Sequence, residues 1–350
     1  MLPPMNLAAV VISSACWWAE PATVQSVGAV FSAQTPGSVS QAPDAKAQTP
    51  GSRPKTPAKP SADAKDIAPD AGAKEPDDKP VLGEVVAFFH DNGVKAREGR
   101  IYRGRREGVW KGWYDSGAPK YEGAFHDYVR LGYWVYWNDN GRKKMEGGWK
   151  NGERDGKWTT YFENGEKHTE GVYALGLKSG RWISWTREGK KIKEGDYRFG
   201  IRDGTWINYF ADTGEKWSEG PFVLGVQEGV WKRWHKTGKL EFEGPFVGGK
   251  EHGYWKRWHE TGELEAEGNY VNGKMDGEWT GYHDNGQKSY RGTLENGAST
   301  GHWTHWYPNG QKKADGELKN GKRNGPWRLW NDDGSPDDEL SGEYVDGVKQ

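Results

Sequence analysis

The chain has 350 residues, and its 49 Lys and Arg nearly balance its 50 Asp and Glu. This balance gives no electrostatic reason to expect nucleic acid as a partner. The lone cysteine excludes an intrachain disulfide and a cysteine-based metal site. Mean hydropathy is only -0.99, but 21 Trp and 51 Gly are atypical of a disordered chain. Abundant Trp and Gly with few aliphatic residues favours a flat sheet with tight turns.

Residues 1–16 resemble a signal segment in which an apolar run, Leu7 to Ala15, ends at Cys16. The run is too short to span a bilayer, which needs about 20 residues, and its length suits the apolar part of a secretory signal. A small residue before a lone cysteine resembles a bacterial lipoprotein signal, which implies lipidation at Cys16 and a place in the cell envelope. Ser13 stands where such signals usually carry Leu. The alternatives are an ordinary N-terminus, a start at Met5, and a cytoplasmic protein.

Residues 17–80 are rich in Pro, Ala, Ser, Thr and Gly, and aromatic residues disappear after Phe31. Such a composition cannot build a packed core, so we expect a disordered linker. The informative part is the repeat domain, which we place at residues 81–350.

Ten tryptophans recur in this domain at intervals of 24 residues, with a single interval of 25. They are Trp110, Trp134, Trp158, Trp182, Trp206, Trp231, Trp255, Trp279, Trp303 and Trp327. A second aromatic residue stands three positions after each. These are Trp113, Trp137, Tyr161, Trp185, Tyr209, Trp234, Trp258, Tyr282, Trp306 and Trp330. A fixed period of this kind is the signature of a repeat architecture.

Each unit carries turn residues at two places, such as Asn140-Gly141 and Asn272-Gly273, which tolerate positive φ and suit tight turns between antiparallel strands. No segment of the repeat domain has an apolar period of 3.6, so we expect almost no helix. The sequence therefore predicts an all-β fold, an elongated single-layer antiparallel meander of about ten to eleven β-hairpin repeats with roughly 21 strands. The degenerate unit around Val86 and the irregular last unit are expected to be caps.

A single-layer sheet has no second layer to cover its aromatic rings, so glycine should leave room for them. Two glycines of each unit are candidates. One follows a glutamate, as in Glu122-Gly123, and we call it the second glycine; the other stands two residues before the tryptophan, as Gly132 does, and we call it the last glycine. We predict that both receive tryptophan rings.

The segment from Gly268 to Gly286 reads Gly-Asn-Tyr-Val-Asn-Gly-Lys-Met-Asp-Gly-Glu-Trp-Thr-Gly-Tyr-His-Asp-Asn-Gly. This unit resembles the bacterial variant of the MORN repeat, and the resemblance covers about three quarters of the chain. Many similar proteins are filed as YwqK-type antitoxins, which implies neutralisation of a toxic protein partner. The resemblance to other MORN proteins implies membrane binding or a role as an assembly scaffold. The resemblance brings no catalytic residues with it.

His235, His259 and His283 repeat in register, but equivalent positions lie two strands, roughly 9.5 Å, apart. Metal ligands must converge on one ion within about 2 Å, so we expect no metal site and no cofactor. A glutamate ladder should face Lys and Arg on adjacent strands. Candidates for the basic partners are Lys143, Lys167, Lys191, Lys216, Lys288 and Lys312. No catalytic signature is present in the sequence, and we do not expect the protein to be an enzyme.

Three functions remain open from the sequence. The first is a scaffold for a protein partner, including the antitoxin type. The second is a cell-envelope module that binds glycan, peptidoglycan or a membrane surface through exposed aromatic rows. The third is direct lipid binding, which the near-neutral charge disfavours.

Overall fold

The structure is a computed structural model, and it describes residues 83–350. The signal segment, Cys16 and the linker at residues 17–80 lie outside the described residues. The described part folds as one open antiparallel sheet without a helix, which confirms the predicted fold class.

The strands follow one another in chain order. They are β1 Glu84–Phe89, β2 Lys95–Tyr102, β3 Arg105–Trp113, β4 Pro119–His126, β5 Val129–Trp137, β6 Lys143–Lys150, β7 Glu153–Tyr161, β8 Lys167–Ala174, β9 Leu177–Trp185, β10 Lys191–Arg198, β11 Ile201–Arg202, β12 Gly204–Tyr209, β13 Lys216–Val223, β14 Val226–Gln227, β15 Gly229–Trp234, β16 Leu240–Val247, β17 Lys250–Glu251, β18 Gly253–Trp258, β19 Leu264–Val271, β20 Lys274–Tyr282, β21 Lys288–Glu295, β22 Ala298–Trp306, β23 Lys312–Lys319, β24 Lys322–Leu329, β25 Gly342–Val345 and β26 Val348–Lys349.

Strands that are joined by a turn pair with each other, so the sheet is a meander. The number of strands exceeds the predicted one partly because three strands are interrupted one residue before a last glycine. At the first interruption the amide of Asp203 donates to the carbonyl of Asp196 at 2.9 Å, and β11 and β12 both pair with β10. The interruption therefore leaves the order of the sheet unchanged.

Alternation along each strand separates two faces. On β3 the side chain of Trp110 points to one face, and on the paired strand β4 Phe125 shares that face. Lys111 and its partner Glu122 point to the other face. We call these the tryptophan face and the carboxylate face.

Candidate binding surface

The ten tryptophans of the repeat form the core on the tryptophan face, where each is only 1–6 % exposed. Each ring lies on the second glycine of the preceding strand, eleven residues earlier. Trp134 lies on Gly123, and a Cβ built on that glycine would stand 2.1 Å from the ring. The same distance is 2.1 to 2.5 Å in all ten pairs. The prediction that the second glycine receives a ring is therefore confirmed.

The prediction for the last glycine is wrong. These residues have φ between +59 and +87°, and no tryptophan ring lies near them. At Gly132, with φ of +66°, nothing lies within 4 Å of a built Cβ. The position therefore requires glycine for its backbone conformation, because L residues with a side chain rarely adopt positive φ.

A hydrogen bond fixes the orientation of each buried indole. The Nε1 of each repeat tryptophan donates to the carbonyl ten residues earlier, beside the glycine that receives the ring. The Trp279 bond to the Asn269 carbonyl is 2.9 Å long, and the ten bonds span 2.8 to 3.2 Å. Burial without a partner for the indole N–H would be costly, so this bond makes a Trp core feasible in a single layer.

Rings from alternate strands cover the tryptophans at their edges. Tyr173 stands nearly perpendicular between Trp158 and Trp182, with centroid distances of 6.1 and 5.1 Å. The same arrangement recurs at Tyr197, Phe222, Phe246 and Tyr270. The tryptophan face is therefore a packed row, and its main rings are not available to a ligand.

The repeated histidines join neighbouring units instead of forming a cluster. The Nε2 atoms of His235, His259 and His283 lie 2.8, 3.2 and 3.0 Å from carbonyl oxygens 23 residues later. His90 of the degenerate unit makes the same contact with the Trp113 carbonyl at 3.1 Å. Among residues 83–350, no group of His, Cys, Asp and Glu could hold a metal ion.

On the carboxylate face, the second aromatics are half-buried and alternate with the glutamate ladder. The predicted cross-strand ion pairs exist, but with other cations than expected. Lys157 lies 3.2 Å from Glu170 across the strands, whereas Lys167 reaches the same glutamate from its own strand, three residues earlier, at 2.6 Å. Five of the six predicted lysines make this same-strand pair. The sixth, Lys288, stands before Arg291, which replaces the glutamate.

Two clusters on this face place a glutamate between two tyrosines. The hydroxyl of Tyr161 donates to Glu146 at 2.5 Å, and Tyr133 donates to the same carboxylate. Five repeats later, Tyr282 donates to Glu267 at 2.9 Å, and Tyr254 faces the same carboxylate. The clusters are equivalent positions of the repeat.

Burial and the carboxylate raise the pKa of Tyr133 and that of Tyr254 to about 12. Burial would raise the pKa of Glu146, but hydrogen bonds from Lys143 and both tyrosines lower it overall. The cluster therefore holds an ionised carboxylate between neutral tyrosines at physiological pH.

A cavity of about 280 Å³ opens on the carboxylate face at the first cluster. Its lining residues are Tyr133, Glu146, Lys157, Thr159, Tyr161, Lys167 and Glu170. Two carboxylates and two ammonium groups balance, so the cavity carries no net charge. Aromatic surface beside hydrogen-bonding groups suits a neutral polar ligand.

These clusters were not predicted from the sequence, because the tyrosine before the tryptophan occurs in two units only, at Tyr133 and Tyr254. A signal was present in the sequence: in both units the glutamate follows the tyrosine, and the second aromatic of the next unit is again a tyrosine, Tyr161 or Tyr282. Within the described residues, no helix is long and apolar enough to cross a membrane.

Six segments of the chain match the family described as MORN repeat variant. The matched residues are 106–127, 154–174, 227–247, 251–272, 275–296 and 299–320. Six of the ten tryptophan-marked units are therefore similar to the MORN repeat variant, in line with the resemblance seen in the sequence. No curated protein sequence matches the chain.

Among solved structures, the chain is similar to parts of two much longer chains. The crystal structure of TcdB2-TccC3-TEV is 12% identical with a TM-score of 0.18, covering 71% of this chain and 14% of that chain. The crystal structure of TcdB2-TccC3-Cdc42 is 10% identical with a TM-score of 0.17, covering 69% and 16%. At TM-scores this low, the similarity supports no statement about the fold or the function of this chain.

Proposed function

We propose that this protein is a non-catalytic repeat scaffold that binds a protein partner on its carboxylate face. The observation that supports the proposal is the row of ten half-buried second aromatics beside alternating carboxylates and ammonium groups. Aromatic anchors surrounded by polar groups are typical of protein interfaces. The tryptophan face lacks such anchors because its rings are already packed.

The resemblance to YwqK-type proteins suggests a specific form of this function, the neutralisation of a toxic protein. A scaffold acts in this way when it covers the active surface of its partner. The antitoxin role requires that this protein and the toxin are in the same cellular compartment.

Photo-crosslinking tests the scaffold proposal. A photoreactive residue at Trp137 or at Trp185 should capture one recurrent protein in a stoichiometric complex in host cells. Alanine at both positions should abolish the complex, whereas Val271→Ala at the exposed end of β19 should not. If no recurrent protein is captured, or if that protein still co-purifies with the double variant, the scaffold proposal is wrong.

A second candidate, binding of a neutral glycan such as the strands of peptidoglycan, is favoured by the uncharged cavity between Tyr133 and Tyr161. Sugar rings stack on aromatic side chains while their hydroxyls bond to carboxylates and ammonium groups. Retention on peptidoglycan or glycan beads should be lost in Tyr133→Ala and Tyr161→Ala and kept in Tyr102→Ala. Equal retention of all variants would exclude this site.

We further propose that Cys16 is lipidated and places the scaffold in the cell envelope. Cell fractionation with a lipid label should find the native chain labelled in the membrane and Cys16→Ala unlabelled. If both remain in the cytoplasm with residues 1–16 uncleaved, the chain is cytoplasmic and a cytoplasmic toxin becomes the partner to seek.

A further inference from the structure

The second turns of the repeats line one side of the sheet. Each places two residues at positive φ, and the second of them is glycine in every turn except Asp127-Tyr128. The first of these two residues is Asn in four turns. They are Asn151, Asn272, Asn296 and Asn320, with φ between +50 and +53°. Asparagine is the side chain that best tolerates this left-handed conformation. The turn chemistry of these units therefore serves the fold.

Three consecutive turns depart from this pattern. Leu175, Phe199 and Leu224 take the asparagine position with φ of +49, +50 and +49°. Bulky apolar residues are strained there. Their side chains are also 77 %, 74 % and 63 % exposed, so they gain little from packing in the isolated chain. The three residues lower the stability of the fold through backbone strain and through exposure of apolar surface, and they do not contribute to the core.

The residue after each turn glycine extends the apolar surface. Leu177 lies beside Gly200, Ile201 lies beside Gly225, and these contacts connect one turn to the next. Val226 lies in the same way beside Gly249. Together they define the apolar strip. Its members are Leu175, Leu177, Phe199, Ile201, Leu224 and Val226.

A row of cations runs beside the apolar strip on the tryptophan face. Arg154, Lys178 and Arg202 lie over the rings of successive tryptophans at 4.3, 4.3 and 4.7 Å. None of the three forms a salt bridge with a carboxylate of residues 83–350. Burial lowers the pKa of Lys178, and the nearby charges of Lys193 and the two arginines lower it further. Positive charge therefore accumulates along this side of the strip.

We propose that the apolar strip binds an amphipathic helix of a partner protein, with acidic residues of the helix facing Arg154, Lys178 and Arg202. Charge complementarity favours an acidic flank because the row of cations has no carboxylate partners of its own. Leu177 and Ile201 lie on the carboxylate face beside these turns, whereas the cations lie on the tryptophan face. A helix along the row of turns therefore contacts both sets of side chains. The second aromatics, which support the proposed function, take no part in this contact.

The spacing of the turns favours a helix over an extended peptide. Successive turns are separated by two strands, about 9.6 Å. Seven helical residues rise about 10.5 Å, so apolar residues seven apart meet successive turns. In an extended peptide, residues three apart span roughly the same distance but point to opposite faces, so they cannot contact the strip together.

The test uses the full chain and a synthetic helical peptide of about four heptads, with Leu on one stripe and Glu beside it. Its binding is compared for the native chain and the triple variant Leu175→Asn, Phe199→Asn and Leu224→Asn. We expect the variant to bind at least about tenfold more weakly and to melt at a higher temperature, because Asn relieves the strain. Loss of affinity in a more stable protein cannot come from misfolding. As a matched control, Val109→Asn should leave peptide binding unchanged.

Charge is tested on the peptide, so that the cations packed on the tryptophans stay intact. A peptide with Lys in place of Glu should bind more weakly than the acidic one. Equal binding of the acidic peptide by the native chain and the triple variant overturns the proposal. It is also overturned if the strip instead mediates concentration-dependent self-association, or binds vesicles of phosphatidylcholine and phosphatidylglycerol but not the acidic peptide.

Discussion

Replacing Gly268 with alanine tests whether the packing of rings on glycines holds the sheet together. The added Cβ would lie 2.3 Å from the indole of Trp279, which is 1 % exposed and bonded to the Asn269 carbonyl. The backbone of a paired strand cannot move away from the ring. The indole must therefore leave its position and lose its hydrogen bond.

The expected cost follows from what the ring loses. Removing a buried tryptophan typically costs about 3–5 kcal/mol, and displacement of the intact ring should approach that range. Gly277→Ala is a control in the same repeat, because a Cβ there meets nothing within 4 Å and only the φ of +85° opposes it. Its cost should be about 1–2 kcal/mol.

Urea denaturation of the full chain, followed by hydrogen exchange of the strand amides, measures both costs in the affected repeats. A double-mutant cycle with Trp279→Ala sharpens the test. Once the ring is absent, Gly268→Ala should cost almost nothing. If Gly277→Ala is as damaging as Gly268→Ala, or if the two effects simply add in the double variant, the packing argument is refuted.

Three further predictions concern single side chains. Burial lowers the pKa of His305 to about 4, so the fold prefers the neutral ring, and the stability this contributes is lost as pH falls from 6.5 towards 4. Denaturation across this range should show a loss of up to about 3 kcal/mol that His305→Tyr removes; an unchanged pH profile in the variant would contradict it. Burial and Glu267 raise the pKa of Tyr254 to about 12, so its contribution is lost as pH rises from 10 to about 12. Glu267→Gln should move tyrosinate absorbance to lower pH, and an unshifted titration would show that the carboxylate is not the cause. His259→Ala removes a 3.2 Å contact with the next unit and should cost about 1 kcal/mol in chemical denaturation; no change would mean that water replaces the ring.

The fold could be predicted because its causes recur at fixed intervals. A tryptophan equivalent to Trp134 and a glycine equivalent to Gly123 recur in every unit. The alternation of side chains along a strand places Trp137 on the face opposite to Trp134. The role of the last glycine was misjudged because composition cannot distinguish a glycine that accommodates a ring from one that adopts positive φ. Gly132 adopts positive φ and Gly123 receives a ring, and neither property can be read from the residue type.

The candidate surfaces could be predicted only in part. The ladder of charges was evident, but whether Lys167 reaches Glu170 along a strand or across strands depends on side-chain direction. Leu175, Phe199 and Leu224 stand where four other units carry Asn, so comparison among units identifies them. That the side chains of Leu175 and Phe199 are exposed follows only from the structure.

The dependence of each tryptophan on residues that precede it has a consequence for synthesis on the ribosome. The glycine that receives Trp158 is Gly147, and the carbonyl that accepts its hydrogen bond belongs to Gly148, so both are translated earlier. Each new hairpin therefore finds its docking surface already made when it emerges. Since contacts in stacked repeats are between neighbours, the sheet can assemble from its N-terminal end while translation continues.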